Sequence, residues 1–414
     1  MSEGRRRSSG RGRGPRGSNA SQDREKLARA RKARKAEKRR EAEAKRQVEA
    51  EEHARRRATW ERPRLAVEPP IEAAEEEGPF RAGWVALVGR PNVGKSTLLN
   101  ALLGQKLAAT THKPQTTRKN LIGVLNPPGA QILLLDTPGH HQAKGPLNRF
   151  MVAQAEEAVR EADVVVFVAE ARVDGRITPG NERLFEVLDK IDKPIIVALN
   201  KTDRVRDKQA ILHQIGSLQE RLGERLTAIV PISARARIDL EPLVQEVGRA
   251  LPPSEPLLPV DEVTTESERE IISEFIREKA MLELQDELPY SVAVTIDRFE
   301  DLRPKLARIF ATLHVERPSQ KGIVIGKQGS RLKVIGSRAR KDIEYLLGSK
   351  CYLDLSVRVT GDWSSDGRRL RELGYTKRDA ESPGASAAEV AEALASLPEE
   401  VLQALEAEDE GEET

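Results

Sequence analysis

The run Gly89-Arg90-Pro91-Asn92-Val93-Gly94-Lys95-Ser96 fits the pattern GxxxxGK[ST] and is followed directly by Thr97. An apolar, strand-like run at 84–88 precedes it, and residues 97–103 read as a helix. That context suits phosphate chemistry. Backbone N–H groups at a helix N-terminus cradle an anion, and glycines let the main chain approach closely. Lys95 would neutralise β and γ phosphates, and the Ser96 hydroxyl would bind Mg2+. Asp136-Thr137-Pro138-Gly139 closes a second apolar run. A carboxylate at the end of a neighbouring parallel strand reaches the metal through water, while Gly139 offers its N–H to the γ-phosphate. Alone, such a tetrapeptide is only a turn; downstream of a P-loop it senses the third phosphate.

Asn200-Lys201-Thr202-Asp203 follows the apolar run 195–199. The Asp203 carboxylate can accept from N1–H and the exocyclic amine of guanine, donors that adenine does not present, and an unpaired polar site discriminates strongly between analogues. Ser233-Ala234 would cover the base through a backbone N–H. Gln115-Thr116-Thr117-Arg118 lies between the first helix and second strand. Thr117 or its neighbour Thr116 would ligate the metal when GTP is bound and let go when the γ-phosphate leaves. The metal set is then Ser96, Thr117 and Asp136. A separate constellation lies downstream. Ile325, Gly326, Lys327, Gln328 and Gly329 form a G-x-x-G loop with an apolar lead-in, followed by Arg331 and Lys333 on a new helix. Such a loop clamps a single-stranded nucleic-acid backbone beside an apolar groove.

These residues need elements to hold them. Buried-strand runs at 84–88, 121–125, 132–135, 164–168, 195–199 and 229–232 alternate with amphipathic stretches at 147–161, 181–190, 207–222 and 240–250. That alternation predicts an α/β P-loop domain, a mostly parallel sheet with helices on both faces. A smaller α+β unit follows, with elements at 271–284, 290–297, 309–316, 332–347 and 352–359 in the order helix, strand, strand, helix, helix, strand. That order fits a type II KH fold. The domain reading is 1–80 basic low-complexity extension, 81–251 GTPase domain, 252–262 Pro-rich linker, 263–361 KH domain, 362–378 appendage and 379–414 acidic tail.

Across 414 residues the hydrophobic fraction is 38%, the charged fraction 33% and the aromatic fraction 3%, which fits globular domains flanked by polar segments. The net charge of +3 hides an asymmetry. Residues 1–60 hold 21 Lys/Arg against 9 Asp/Glu, and residues 379–414 hold 12 Asp/Glu with no Lys/Arg. A basic arm favours polyanions by counterion release, an acidic tail opposes them, and two merely solubilising ends are the other reading. Residues 1–22 read as disordered, 23–57 as a helix without an apolar stripe, and the dense Glu there argues against a transit peptide. The single cysteine, Cys351, leaves no disulfide and no zinc cluster and indicates a reducing compartment. No apolar run approaches the roughly 20 residues of a membrane span. The expected location is cytoplasmic, with a salt-sensitive contact of the arm at the inner face of the cell membrane left open.

The stretch GRPNVGKSTLLNALLGQK with PQTTR, DTPG and NKTD resembles the translation-factor-related GTPases of the TrmE-Era-EngA group, and within it the Era type. IIxEFIREK, ELPYSVAV, IGSRARKDIE and WSSDGRRLRELGY resemble the Era KH domain and its tail. The resemblance spans about residues 81–377. It implies GTP hydrolysis to GDP and phosphate, with Lys95, Asn92, Thr117 and Gly139 as the catalytic set. It also implies Mg2+ as cofactor, and K+ held by Asn92 in place of an arginine finger. The implied RNA partner is the 3′ end of 16S ribosomal RNA, the setting is 30S subunit biogenesis, and the chain is expected to be a monomer. His140 and His141 stand after DTPG where the group usually has an apolar residue, so the group that orients water stays unassigned. A GTP-binding RNA scaffold with negligible turnover is the competing reading. Modification-type or membrane-associated relatives would lack the KH motif.

Overall fold

The computed structural model describes residues 78–139, 145–178, 180–303 and 306–375, all within one compact unit, Pro63–Thr414. The readings made for the basic arm, the helix at 23–57, His140, His141 and the acidic tail lie outside the described residues.

The first domain is built from β1 (Arg81–Val88), α1 (Lys95–Leu103), β2 (Leu121–Leu125), β3 (Ala130–Asp136), α2 (Pro146–Glu161), β4 (Val164–Glu170), α3 (Glu182–Leu188), β5 (Ile195–Asn200), α4 (Lys208–Leu222), β6 (Leu226–Pro231) and α5 (Leu240–Ala250). The strands form one sheet in the order β2-β3-β1-β4-β5-β6. All pairs are parallel except β2 with β3 at one edge. The near-continuous Val/Ile/Leu content of β3, β4 and β5 is what strands covered on both faces require. Their interiors are buried throughout. The carboxyl ends of β1, β3 and β5 therefore deliver Gly89, Asp136 and Asn200 to one edge of the sheet, where ligands of such folds sit.

The second domain runs α6 (Glu268–Glu283), β7 (Ala293–Leu302), β8 (Leu306–Val315), α7 (Pro318–Ile325), α8 (Ser330–Leu347) and β9 (Cys351–Val359), followed by α9 (Gly367–Glu372). Ser267 and Glu270 close a capping box that starts α6. The sheet order is β7-β8-β9, antiparallel then parallel, as a type II KH fold demands. The helices α6 and α8 cover one face.

The Pro-rich segment read as a linker is strapped along the first domain. Buried Gln131 accepts from the amides of Leu257 and Leu258, at 2.6 and 2.9 Å, and donates to the Leu258 carbonyl at 2.7 Å. The Val124 amide donates to the Val263 carbonyl at 2.8 Å, which fixes where the second domain begins. The two domains also touch directly. An apolar cluster under the first sheet continues into the second domain through Ile271, Ile272, Phe275 and Ile276 of α6. The helix α6 thus packs directly against the 104–120 loop, beside the strapped Pro-rich segment.

Candidate functional site

The loop after β1 turns into α1 at Gly94, whose φ of 107° is left-handed and whose missing Cβ makes room for the Asn200 amide. Lys95 follows as the first helical residue. It is buried, and its Nζ donates to the carbonyls of Gly89 and Arg90 at 3.1 and 3.3 Å. Burial pulls its ammonium down to about 8, partly opposed by Asp136. A cation held out of water against its own loop is a site prepared for an anion.

Three oxygens converge next to it. Ser96 Oγ donates to Asp136 Oδ2 at 2.6 Å and lies 2.8 Å from Thr117 Oγ1, which donates to the same Oδ2 at 3.3 Å. Asp136 is fully buried, burial raises its carboxyl, and Lys95, Ser96 and Thr117 counter the rise. Its Oδ1 is buried with no hydrogen-bond partner among the described residues. Two hydroxyls and a carboxylate with one orphaned oxygen are a donor set suited to a hard cation such as Mg2+. Thr116 is not part of it: its hydroxyl lies 2.6 Å from that of Thr111 and donates to the Lys113 carbonyl at 2.8 Å. Thr137 donates to the Leu87 carbonyl at 2.8 Å, and with Pro138 brings Gly139 against Pro91, whose backbone a Cβ would meet at 2.8 Å.

Asn200 fastens three loops together. Its Nδ2 donates to the Val93 carbonyl at 2.9 Å, and its Oδ1 accepts from the amides of Lys201 and Ala234 at 2.8 and 2.9 Å. Lys201 donates to the Asn92 carbonyl at 2.7 Å and pairs with Glu170 at 2.9 Å. The Ser233 hydroxyl donates to Asp203 Oδ1 at 2.7 Å. Asn92 Nδ2 donates to the His112 carbonyl at 2.9 Å, tying the P-loop to the loop that carries Thr116 and Thr117. Every residue assigned to the nucleotide from sequence thus lies in or beside this cluster, except the Thr116 side chain; Thr97 sits in the first turn of α1.

In the second domain Ile325 ends α7, residues 326–329 form the turn into α8, and Arg331 folds back to donate to the Ile323 carbonyl at 2.7 Å. A groove of about 440 Å³ opens between α8 and β9, lined by Gly329, Leu332, Lys333, Gly336, Arg340 and Leu355 among others. Its apolar wall and Arg340 were not singled out from the sequence. The i+3, i+4 and i+7 spacing of Leu332, Lys333 and Gly336 from Gly329, which puts them on one helix face, was the available signal.

Residues 84–201 match a family described as 50S ribosome-binding GTPase, and residues 287–364 match the KH domain. GTPase Era of Geobacter metallireducens is 47% identical over 303 residues, which is 72% of this chain and 99% of that protein. GTPase Era of Pseudomonas putida F1 is 44% identical over 301 residues, 72% of this chain and 98% of that protein. The chain belongs to the Era family of GTPases. Era in complex with MgGDPNP and nucleotides 1506–1542 of 16S ribosomal RNA superposes with a TM-score of 0.68, at 40% identity over 72% of this chain and all of that one. A variant of Aquifex aeolicus Era bound to GDP·AlF4− gives 0.69 at the same identity and coverage. As an Era-family protein the chain is an enzyme, a GTPase, which takes that reading over the silent-scaffold one. No helix among the described residues is long and apolar enough to cross a membrane.

Proposed function

We propose that this GTPase binds Mg2+·GTP at residues 89–97, reads guanine with Asp203, and holds single-stranded RNA from the 3′ end of 16S ribosomal RNA in its KH groove during 30S subunit maturation. The observation that carries the reading is the convergence of Ser96, Thr117 and Asp136 oxygens beside the desolvated Lys95. Ser96, Thr117 and Asp136 would hold the metal directly or through water. Bound there, Mg2+ supplies charge neutralisation at the phosphate oxygens. Lys95 exchanges its two carbonyl partners for phosphate oxygens, and Gly139 offers its amide toward the third phosphate. Catalysis is mostly electrostatic. When the third phosphate is lost, Thr117 loses its reason to stay.

The RNA assignment is supported by the relative whose complex holds 16S ribosomal RNA and by Lys333 and Arg340 lining a groove of mixed polarity beside Leu332, Leu353 and Leu355, with Lys327 and Arg331 at the adjoining turn. The same reading takes 81–251 as the GTPase domain, 263–361 as the KH domain and 362–378 as its appendage. It also takes K+ at Asn92, beside the His112 carbonyl, as a stimulating charge, and a cytoplasmic protein whose basic arm meets membranes only electrostatically.

The test pairs two variants of the full chain. Lys95→Ala is expected to lose GTP and GDP binding while keeping RNA affinity. Lys327→Glu with Lys333→Glu is expected to keep nucleotide binding and to weaken a fluorescent 16S 3′-end oligonucleotide by about tenfold or more, with a smaller salt slope. Normal GTP binding by Lys95→Ala would overturn the site. Turnover that is equal in K+ and Na+ buffers would remove the potassium role.

A further inference from the structure

Ser96 sits in the first turn of α1 and Asp136 ends an interior strand, so the fold holds both in place. Thr117 alone of the three oxygen donors rides on a loop, and its position depends on what grips residues 116 and 118. On one flank Arg277 of α6, buried at 1% exposure, donates through Nη2 to the Thr116 carbonyl. Its guanidinium is held in turn by Glu274, with Nε donating to Oε1 at 2.8 Å, and by Met281 Sδ at 3.1 Å. On the other flank Arg118, fully buried, donates to the carbonyls of Val292 and Tyr290 at 2.8 and 2.7 Å and to the Tyr375 hydroxyl at 3.1 Å. All of those partners belong to the KH domain or its appendage.

We propose that Arg277 is a positioning residue of the GTPase site, through which the KH domain holds the Thr117 hydroxyl at the Ser96–Asp136 metal position. The proposal rests on the assignment of Thr117 to the metal made above. Within its own domain the guanidinium neutralises Glu274 one turn back on α6, a pairing that does not by itself need an arm reaching the other domain. An aliphatic side chain of similar volume would fill the space without the cost of burying charge. What an aliphatic residue could not do is reach a carbonyl of the other domain. Because the grip falls on the Thr116 backbone, and the Thr116 side chain bonds within its own loop, the hold passes to Thr117 through a single peptide unit.

The test uses the full chain with Arg277→Ala, Arg277→Lys, and Arg277→Met combined with Glu274→Gln. The last removes the Arg277–Glu274 ion pair as a unit, so neither is left without the other, and its melting temperature checks that Arg118, which Glu274 also faces, stays accommodated. One readout needs no ligand: amide hydrogen exchange across 113–120 in nucleotide-free protein. The other is the Mg2+ concentration needed to bind a non-hydrolysable fluorescent GTP analogue, compared with GDP. Expected are faster exchange, an about tenfold higher Mg2+ requirement for the analogue, the size of one charge-assisted hydrogen bond, and unchanged GDP affinity. Arg277→Lys should recover part of both. A Met/Gln double variant that melts like the parent and keeps the parental exchange and Mg2+ requirement overturns the proposal. Thr117→Ala in parallel separates the two failures. If it shifts the Mg2+ requirement and the Arg277 variants do not, the proposal falls and the site reading stands. If Thr117→Ala shifts nothing, the metal assignment falls and the proposal with it.

Discussion

Asp203 is exposed, yet its carboxylate is oriented before any base arrives, because the Ser233 hydroxyl donates to Oδ1 at 2.7 Å and is itself fixed by the Ala236 amide at 3.2 Å. Removing an exposed carboxylate costs the fold little, while removing two charge-assisted hydrogen bonds to guanine costs binding about 3 kcal/mol. Asp203→Ala should therefore weaken GDP about a hundredfold on that estimate, leave the melting temperature nearly unchanged, and reduce discrimination against ADP; competition with a fluorescent GDP measures the two affinities and thermal unfolding the third. His314 poses the opposite case, a titratable group whose role is in stability. Its ring nitrogens lie 2.9 Å from the hydroxyls of Thr295 and Thr360, and burial lowers its pKa, with Arg358 adding to the fall and Asp297 opposing it. The folded ring stays neutral at a pH where the unfolded ring, at 6.5, takes a proton. The unfolded state then binds more protons, so stability drops as pH falls through 6.5. Urea midpoints from pH 7.5 to 5.5 should decline less in His314→Gln than in the parent.

At the level of elements, the end of the described chain packs against both domains. Trp363 is fully buried, stacks on Tyr375 with ring centroids 5.7 Å apart, and donates from Nε1 to the Ser291 carbonyl at 3.0 Å. It shares a cluster with Leu147 and Met151 of α2, the helix that follows DTPG. Trp363→Ala should cost about 3–5 kcal/mol on denaturant unfolding, and should loosen α2, read as faster amide exchange across 146–155. The strands and helices of both domains were legible because each is written locally: β-branched runs for buried strands, amphipathic period for helices, Gly and Pro between them. The nucleotide residues were legible for the same reason, each motif closing its own strand. The position next to the strand favours Thr117, but spacing alone does not exclude Thr116, since an irregular loop can turn either hydroxyl inward. The interdomain clasp was invisible. Arg118, Arg277 and Glu278 read in sequence as ordinary charged positions, and only long-range pairing buries them.

At the level of the whole molecule, the RNA helix α8 and the nucleotide domain meet at four alternating charges. Lys106, just past α1, pairs with Glu278 of α6 at 2.7 Å and with Asp342 of α8 at 2.6 Å, while Lys279 pairs with Glu278 at 2.7 Å and also with Asp342. Glu278 also accepts from the Thr110 amide at 3.1 Å, at the start of the loop that carries Thr117. Burial alone would raise the Glu278 and Asp342 carboxyls, but Lys106 and Lys279 hold both below the usual range. Two cations and two anions make the cluster neutral, so losing one member strands a charge. Lys106→Met should cost about 3–5 kcal/mol. Asp342→Leu alone should also destabilise, because it leaves two lysines on one carboxylate. The double variant restores balance and should cost less than the sum, with a coupling of about 1–3 kcal/mol across the domain boundary. Since Asp342 sits on the helix that follows the G-x-x-G loop, the same cycle measured with the 16S oligonucleotide bound should give a different coupling if RNA moves α8 against Lys106. An unchanged coupling would mean that RNA does not move α8 against Lys106.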